Sequence, residues 1–204
     1  MGYPNVSRLF AAIIKAVNQV GDIRPRMHAV IAECNAQRPH ADWQIFRDLD
    51  YGADAERLRH WLSDVYRDEA ATLFKGLWVG LVQLIRDGET VADAYLAAAA
   101  KFEAGAIDWT DGLEWAGENS YLNSKILKSI YRLAYDRQDG LGNDAEYPLV
   151  LAYGAMAVIE ALQQPPLPFA LRSLQGVCVG YDGGDFLFLG EFRDGRFVTD
   201  VMAG

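Results

Sequence analysis

The sequence predicts an α+β protein, predominantly α: a helical layer over about residues 7–172, followed by a C-terminal three-stranded antiparallel meander over about 176–201. Two observations lead there. Apolar residues recur at intervals of three and four through most of the first 170 positions, as one face of an α-helix requires. After Gln175 the period changes to two. Val177, Val179 and Tyr181 alternate with Cys178 and Gly180 between turns rich in Gly and Asp. A sheet of three strands is too small to stand alone, so it is expected to pack on the helices as one domain over 1–204.

Each element has a local reason. Ser7 is placed to cap a first helix with Leu9, Phe10, Ile13, Ile14 and Val17 on one stripe, closed by Gly21. Pro25 suits the first turn of a second helix through Met27, Val30, Ile31 and Cys34, which Pro39 ends. Residues 40–53 read as a loop anchored by Trp43, Ile45, Phe46 and Leu49. From Asp54 a helical pattern runs through Leu58, Trp61, Leu62, Val65 and Tyr66. With the apolar stretch from Leu73 to Ile85 it reads as one bent helix or two consecutive ones, largely buried and stopped by Asp87-Gly88.

Thr90-Val-Ala-Asp93 has the form of a capping box and predicts an alanine-rich helix to Gly105. Asp111-Gly-Leu-Glu114 predicts another helical region reaching Leu133. Pro148 opens an apolar helix that ends before Pro165-Pro166, and no internal repeat is evident. Gly183-Gly184 and Arg193-Asp194-Gly195-Arg196 supply the turns of the terminal meander.

Composition removes several classes of function. A net charge of −9 argues against binding to a phosphate backbone and against attraction to an anionic membrane surface. The apolar window Leu149–Leu162 is too short to span a bilayer, and the N-terminus has neither a signal-peptide charge order nor the spacing for myristoylation at Gly2. A cytoplasmic location follows as the expectation. Cys34 and Cys178 have no metal-ligand spacing and are expected to be buried free thiols.

No catalytic signature appears. His28, His40 and His60 lie on separate segments, and there is no nucleophile elbow, P-loop or dinucleotide fingerprint. The acidic loop at Asp136–Glu146 misses the ligand order that wraps calcium, and Asp182-Gly-Gly-Asp185 reads as a hairpin tip whose Gly and Asp serve turn geometry, so no metal and no cofactor is expected. Glu114 and Glu118 fall on one face of the expected helix, and a paired-carboxylate hydrolase needs one such group desolvated.

The strongest signal is electrostatic. Between Asp87 and Glu118 eight carboxylates face a single cation, Lys101. Such a field holds and steers a basic partner, although a solvated acidic surface has the same composition. Trp109 and Trp115 lie inside the block, and aromatic rings ringed by carboxylates suit a surface rich in Lys and Arg. The expected partner-binding residues are Glu103, Asp108, Trp109, Asp111, Glu114, Trp115 and Glu118. The partner expected there is a basic protein.

The stretch Val179-Gly-Tyr-Asp-Gly-Gly-Asp-Phe-Leu-Phe-Leu-Gly190 resembles hairpins of small acidic bacterial proteins of the toxin-immunity type. The resemblance covers about a dozen residues and implies a stoichiometric inhibitor of a cognate toxin or enzyme. A small carboxylate-dependent hydrolase and a self-associating structural subunit are the alternatives.

Overall fold

The computed structural model describes residues 5–65, 73–103, 108–164, 174–182 and 184–203, with the side chains of 65, 108 and 117–120 excepted. The expectations placed on Gly2, Tyr66, Gly105, Pro165-Pro166 and Gly183 lie outside these residues.

The chain is α+β, but the sheet has six strands, not three. The elements run α1 (Val6–Val17), α2 (Ile23–Gln37), α3 (Trp43–Arg47), α4 (Ala55–Val65), β1 (Gly76–Arg86), β2 (Glu89–Ala99), β3 (Trp115–Tyr121), α5 (Lys125–Tyr135), α6 (Asn143–Gln163), β4 (Gly176–Tyr181), β5 (Phe186–Arg193) and β6 (Arg196–Ala203). Strand order is β3-β2-β1-β4-β5-β6, antiparallel except where β1 and β4 run parallel at the centre. The expected helical layer is therefore interrupted: its stretches at 73–85 and 90–99 form one long hairpin, and that at 115–121 is a strand.

Local chemistry accounts for the correction. A short apolar run fits a buried strand as well as a buried helix, and Asp87-Gly88 decides between them. Both residues take positive φ, 53° and 83°, the geometry of a two-residue hairpin turn rather than a helix stop. Arg86 then pairs with Glu89 and the ladder continues to Gly76 and Ala99. The alanines of β2 serve packing, not helix propensity. Ala92 and Ala94 join the core on which α5 lies, while Ala97 and Ala99 sit beneath aromatic rings on the other face.

The main core lies between the helices and one sheet face, where Leu77, Val79, Leu81, Leu96, Val177, Val179, Leu187 and Leu189 meet the helical layer. α6 is its central element. It is long and apolar enough to cross a membrane, but 89% of its apolar window is buried inside the fold, so it functions here as a core helix. It begins at Asn143, five residues before the expected Pro148. Asn5, not Ser7, caps α1, and Asp22 caps α2, in which Pro25 is the third residue. The expected 40–53 loop contains the short α3.

One sheet edge is guarded. Asn18, at the C-terminus of α1, accepts from the Val201 N–H (3.2 Å) and donates to its carbonyl (3.1 Å), taking the place of a seventh strand. Asn18→Ala is expected to cost about 1–2 kcal/mol in urea unfolding through the loss of both bonds. An unchanged midpoint would show that water replaces them freely.

Candidate functional site

The acidic block separates into structural and free carboxylates. Asp87 forms the β1–β2 turn, and Glu89 lies 3.9 Å from Lys128. Asp93 is buried and fully engaged. It pairs with Arg86 at 2.9 Å and accepts from the backbone N–H groups of Ala94, Asn123 and Ser124. Asp54, with no exposed surface, accepts from the next two N–H groups, Lys125 and Ile126, each at 3.0 Å. Ser124 Oγ takes the Leu127 N–H. Five successive donors at the start of α5 are thus met by side chains, which satisfies the orphan amides of a helix N-terminus.

Glu103, Asp111 and Glu114 are different. All three are exposed, and among the described residues none pairs with a cation. The side chains of Asp108 and Glu118 lie outside the described residues; their backbones belong to a 3-10 turn (Asp108–Gly112) and to β3. Glu118 shares no helix face with Glu114, because the segment is extended.

The two tryptophans are packing residues first. Trp109 is buried and lies against Gly76, where an added Cβ would come within 2.6 Å of its ring. Trp115 is half-buried against the main core, its ring 6.1 Å from that of Phe74. The expected site therefore has its acids at the surface and its rings largely inside.

The aromatic surface that sequence reasoning missed lies on the sheet face turned away from the helices. Trp78, Ala97, Ala99, Trp109 and Cys178 form a second, smaller cluster there, with Tyr95, Phe102, Leu113, Phe186 and Phe188 half-buried around it. Its floor comes from a sequence match between the parallel central strands. Gly76-Leu-Trp-Val-Gly80 aligns in register with Gly176-Val-Cys-Val-Gly180. Each glycine carries a ring or ring-bearing residue directly against its backbone: Trp109 on Gly76, Tyr95 on Gly80, Phe102 on Gly176 and Phe186 on Gly180.

Phe102 links Trp109, edge-on at 5.5 Å, to Phe188, stacked at 6.0 Å. Beyond these, Tyr121, Val198 and Met202 are exposed. Among the described residues, the Trp78 indole nitrogen at the centre of this face is the buried side-chain donor left without a hydrogen-bond partner. One end of the face opens into a hollow of about 520 Å³ between Phe102, Trp109, Glu103, Lys75, Lys101 and Gln175.

The β4–β5 turn is tied down from both sides of the sheet. Tyr95 donates to Asp182 and Tyr147 to Asp185, both at 2.6 Å. Burial, reinforced by the Asp182 carboxylate, pushes the Tyr95 hydroxyl up to about 12. Such a tyrosine stays a hydrogen-bond donor through the physiological range and is unsuited to act as a base. Glu146 is likewise occupied, by Gln83 and Tyr135, and Asp144 pairs with Arg38. Among the described residues no three His, Cys, Asp or Glu side chains converge as metal ligands.

Cys34 and Cys178 are buried free thiols, and burial raises both to about 12, which leaves them unreactive. His28 bonds the Arg47 carbonyl, and His40 accepts from the Asp42 N–H. No family model matches the chain, nor does any curated protein or solved structure. No residue role is therefore inherited, and the geometry alone carries the functional reading.

Proposed function

We propose that this chain is a non-catalytic protein-binding module that captures a basic protein on the outer face of its sheet, as a stoichiometric inhibitor of the toxin-immunity type. The observation that carries the reading is that the aromatic face ends at Phe102 and Trp109 beside the unpaired Glu103, in a hollow also lined by Lys75 and Lys101, with exposed Asp111 and Glu114 following Trp109 in the chain. Half-buried Phe102, Phe186 and Phe188 supply rigid apolar contact area, of the kind that dominates interface energetics. The carboxylates supply steering and exclude acidic proteins. A net charge of −9 acts in the same direction over a longer range.

The test compares the chain with a variant carrying Glu103→Gln, Asp111→Asn and Glu114→Gln, each immobilised and exposed to proteins of its native host. A basic protein should be retained by the native chain at low salt and released as salt rises. The variant should bind it at least about tenfold more weakly, since rim charges act through a screened field. One equivalent of the native chain should silence whatever activity that protein has. Equal retention by the variant, or an acidic captured protein, would overturn the proposal.

A further inference from the structure

β6 is the sheet edge opposite β3, and two observations fix which way its backbone groups point. The Val198 carbonyl and the Asp200 N–H face β5, since both crowd the place where a Cβ on Gly190 would stand. Direction alternates along a strand, so the groups of Phe197, Thr199 and Val201 face outward. The Val201 N–H and carbonyl are indeed the pair held by Asn18. That guard covers one rung. Among the described residues, the outward N–H and carbonyl groups of Phe197 and Thr199 have no hydrogen-bond partner.

An open edge is a template for another strand, and proteins that must stay apart block it with Lys, Pro, a bulge or an inward-pointing charge. Arg196-Phe-Val-Thr-Asp200 contains neither Lys nor Pro, and its pairing with β5 is regular from Arg196 to Thr199. Phe197 and Val201 turn into the core. Arg196, Val198 and Asp200 occupy the other face and are exposed, Val198 to 39%. Among the described residues neither Arg196 nor Asp200 forms an ion pair.

These two opposite charges stand symmetrically about Val198 on one face of an open strand. Such a pattern is complementary to itself when an identical strand runs antiparallel beside it. We propose that two copies of this chain join β6 to β6 about a two-fold axis through Val198, which makes their sheets continuous.

The open groups fix the axis. Centred on Val198, Phe197 of each copy lies opposite Thr199 of the other, and each such pair exchanges both hydrogen bonds. An axis on Phe197 would set Thr199 against Gly195 of the turn. An axis on Thr199 would set Phe197 against Val201, which Asn18 already holds. The register on Val198 also brings Arg196 of each copy opposite Asp200 of the other. Val198 meets its own counterpart in a non-hydrogen-bonded pair, where β-branched side chains come closest. Two-fold symmetry makes each charge contact twice. The ladder is short and ends at Asn18, so the expected Kd is on the order of 10–100 µM.

Sedimentation equilibrium of the full chain at low salt, from about 2 to about 500 µM, should show the average mass rising from one chain toward two. Arg196→Asp sets like charges against each other at both ends of the ladder, and Asp200→Arg does the same with the opposite sign. Each should weaken the dimer at least about tenfold. The double variant, Arg196→Asp with Asp200→Arg, rebuilds the pairs and should return to within about threefold of the native chain. Thr199→Pro removes an outward N–H and no bond to β5, so its circular dichroism should match the native chain while its dimer is lost.

A monomer at every concentration overturns the proposal. A dimer indifferent to both charge reversals, or to Thr199→Pro, is built on another surface and overturns it equally. Losses in the single variants without recovery in the double one exclude the register centred on Val198. Glu103, Asp111 and Glu114 are unchanged in all of these variants, so failure of the dimer and failure to capture a basic protein are separate results.

Discussion

Gly190→Ala is expected to remove a substantial part of the stability of the fold, and two independent causes add at that position. Gly190 has φ of 142°, a region that L side chains rarely adopt. A Cβ there would stand 2.1 Å from the carbonyl oxygen of Val198 and 3.0 Å from both Asp200 N and Thr199 Cα. All three obstacles are backbone, so no side chain can swing aside. The residue also sits where the register of β5 shifts against both neighbours: Gly190 pairs with Val177 and Thr199, whereas Phe188 pairs with Cys178 and Met202. Relief of the clash must push β6 away from β5.

The positive φ alone costs about 1–2 kcal/mol, and strand displacement brings the total to about 4 kcal/mol or more. For a chain of this size that lowers the melting temperature by roughly 10 °C, read by circular dichroism. Gly88→Ala is the internal control. It shares the positive φ, at 83°, but its Cβ would meet nothing within 4 Å, so only the conformational part, about 1 kcal/mol, should appear. Equal losses at the two positions would show that the bulge yields without cost.

The two hairpin turns explain why half of the sheet was legible and half was not. Arg193-Asp194-Gly195-Arg196 and Arg86-Asp87-Gly88-Glu89 share the same Asp-Gly centre, and in both the pair adopts positive φ. The first is flanked by Phe192 and Phe197 in short alternating runs. The second is flanked by Leu84, Ile85 and Val91 within long apolar and alanine-rich segments that also satisfy a helical period. Asp-Gly between apolar runs was therefore the signal that decided the fold, and it outweighed alanine propensity. The match of Gly76-x-x-Val-Gly80 with Gly176-x-x-Val-Gly180 was equally visible in the sequence. Its meaning, two strands lying parallel in register beneath a layer of rings, required the long-range pairing of β1 with β4.

Charge was legible as a total and not as a distribution. Asp93 counts among the eight acids of the block, yet it lies in the interior, where Arg86 and three backbone N–H groups surround it. Arg86 lies one residue outside the window in which Lys101 is the single cation, so the apparent imbalance was partly a matter of where counting began. What survives as free negative surface is the group Glu103, Asp111 and Glu114.

Asp54→Ala is expected to be nearly as damaging as the change at Gly190, for an electrostatic reason. Asp54 lies at the start of α4, but its side chain works on α5. Oδ1 accepts from Lys125 N–H, Oδ2 accepts from Ile126 N–H and the Ser124 hydroxyl, and the Tyr153 hydroxyl lies 3.4 Å away on α6. No cation lies within 4.0 Å of it among the described residues. The carboxylate is held by aligned donors and by the positive end of the α5 dipole. Removing it leaves those donors buried without an acceptor and frees the link between α4, α5 and α6. The expected loss is about 3–5 kcal/mol in urea unfolding, within the range for a broken buried polar network. Asp54→Asn keeps the shape and one acceptor oxygen but turns an NH₂ group toward donors, so an intermediate loss of about 1–3 kcal/mol should follow. Hydrogen exchange distinguishes this from a general weakening: the amides of Lys125 and Ile126 should lose protection in Asp54→Ala well before those in the middle of α6. Uniform loss across both helices would mean that Asp54 only fills space, and that the capping of α5 is carried by Ser124 and Asp93.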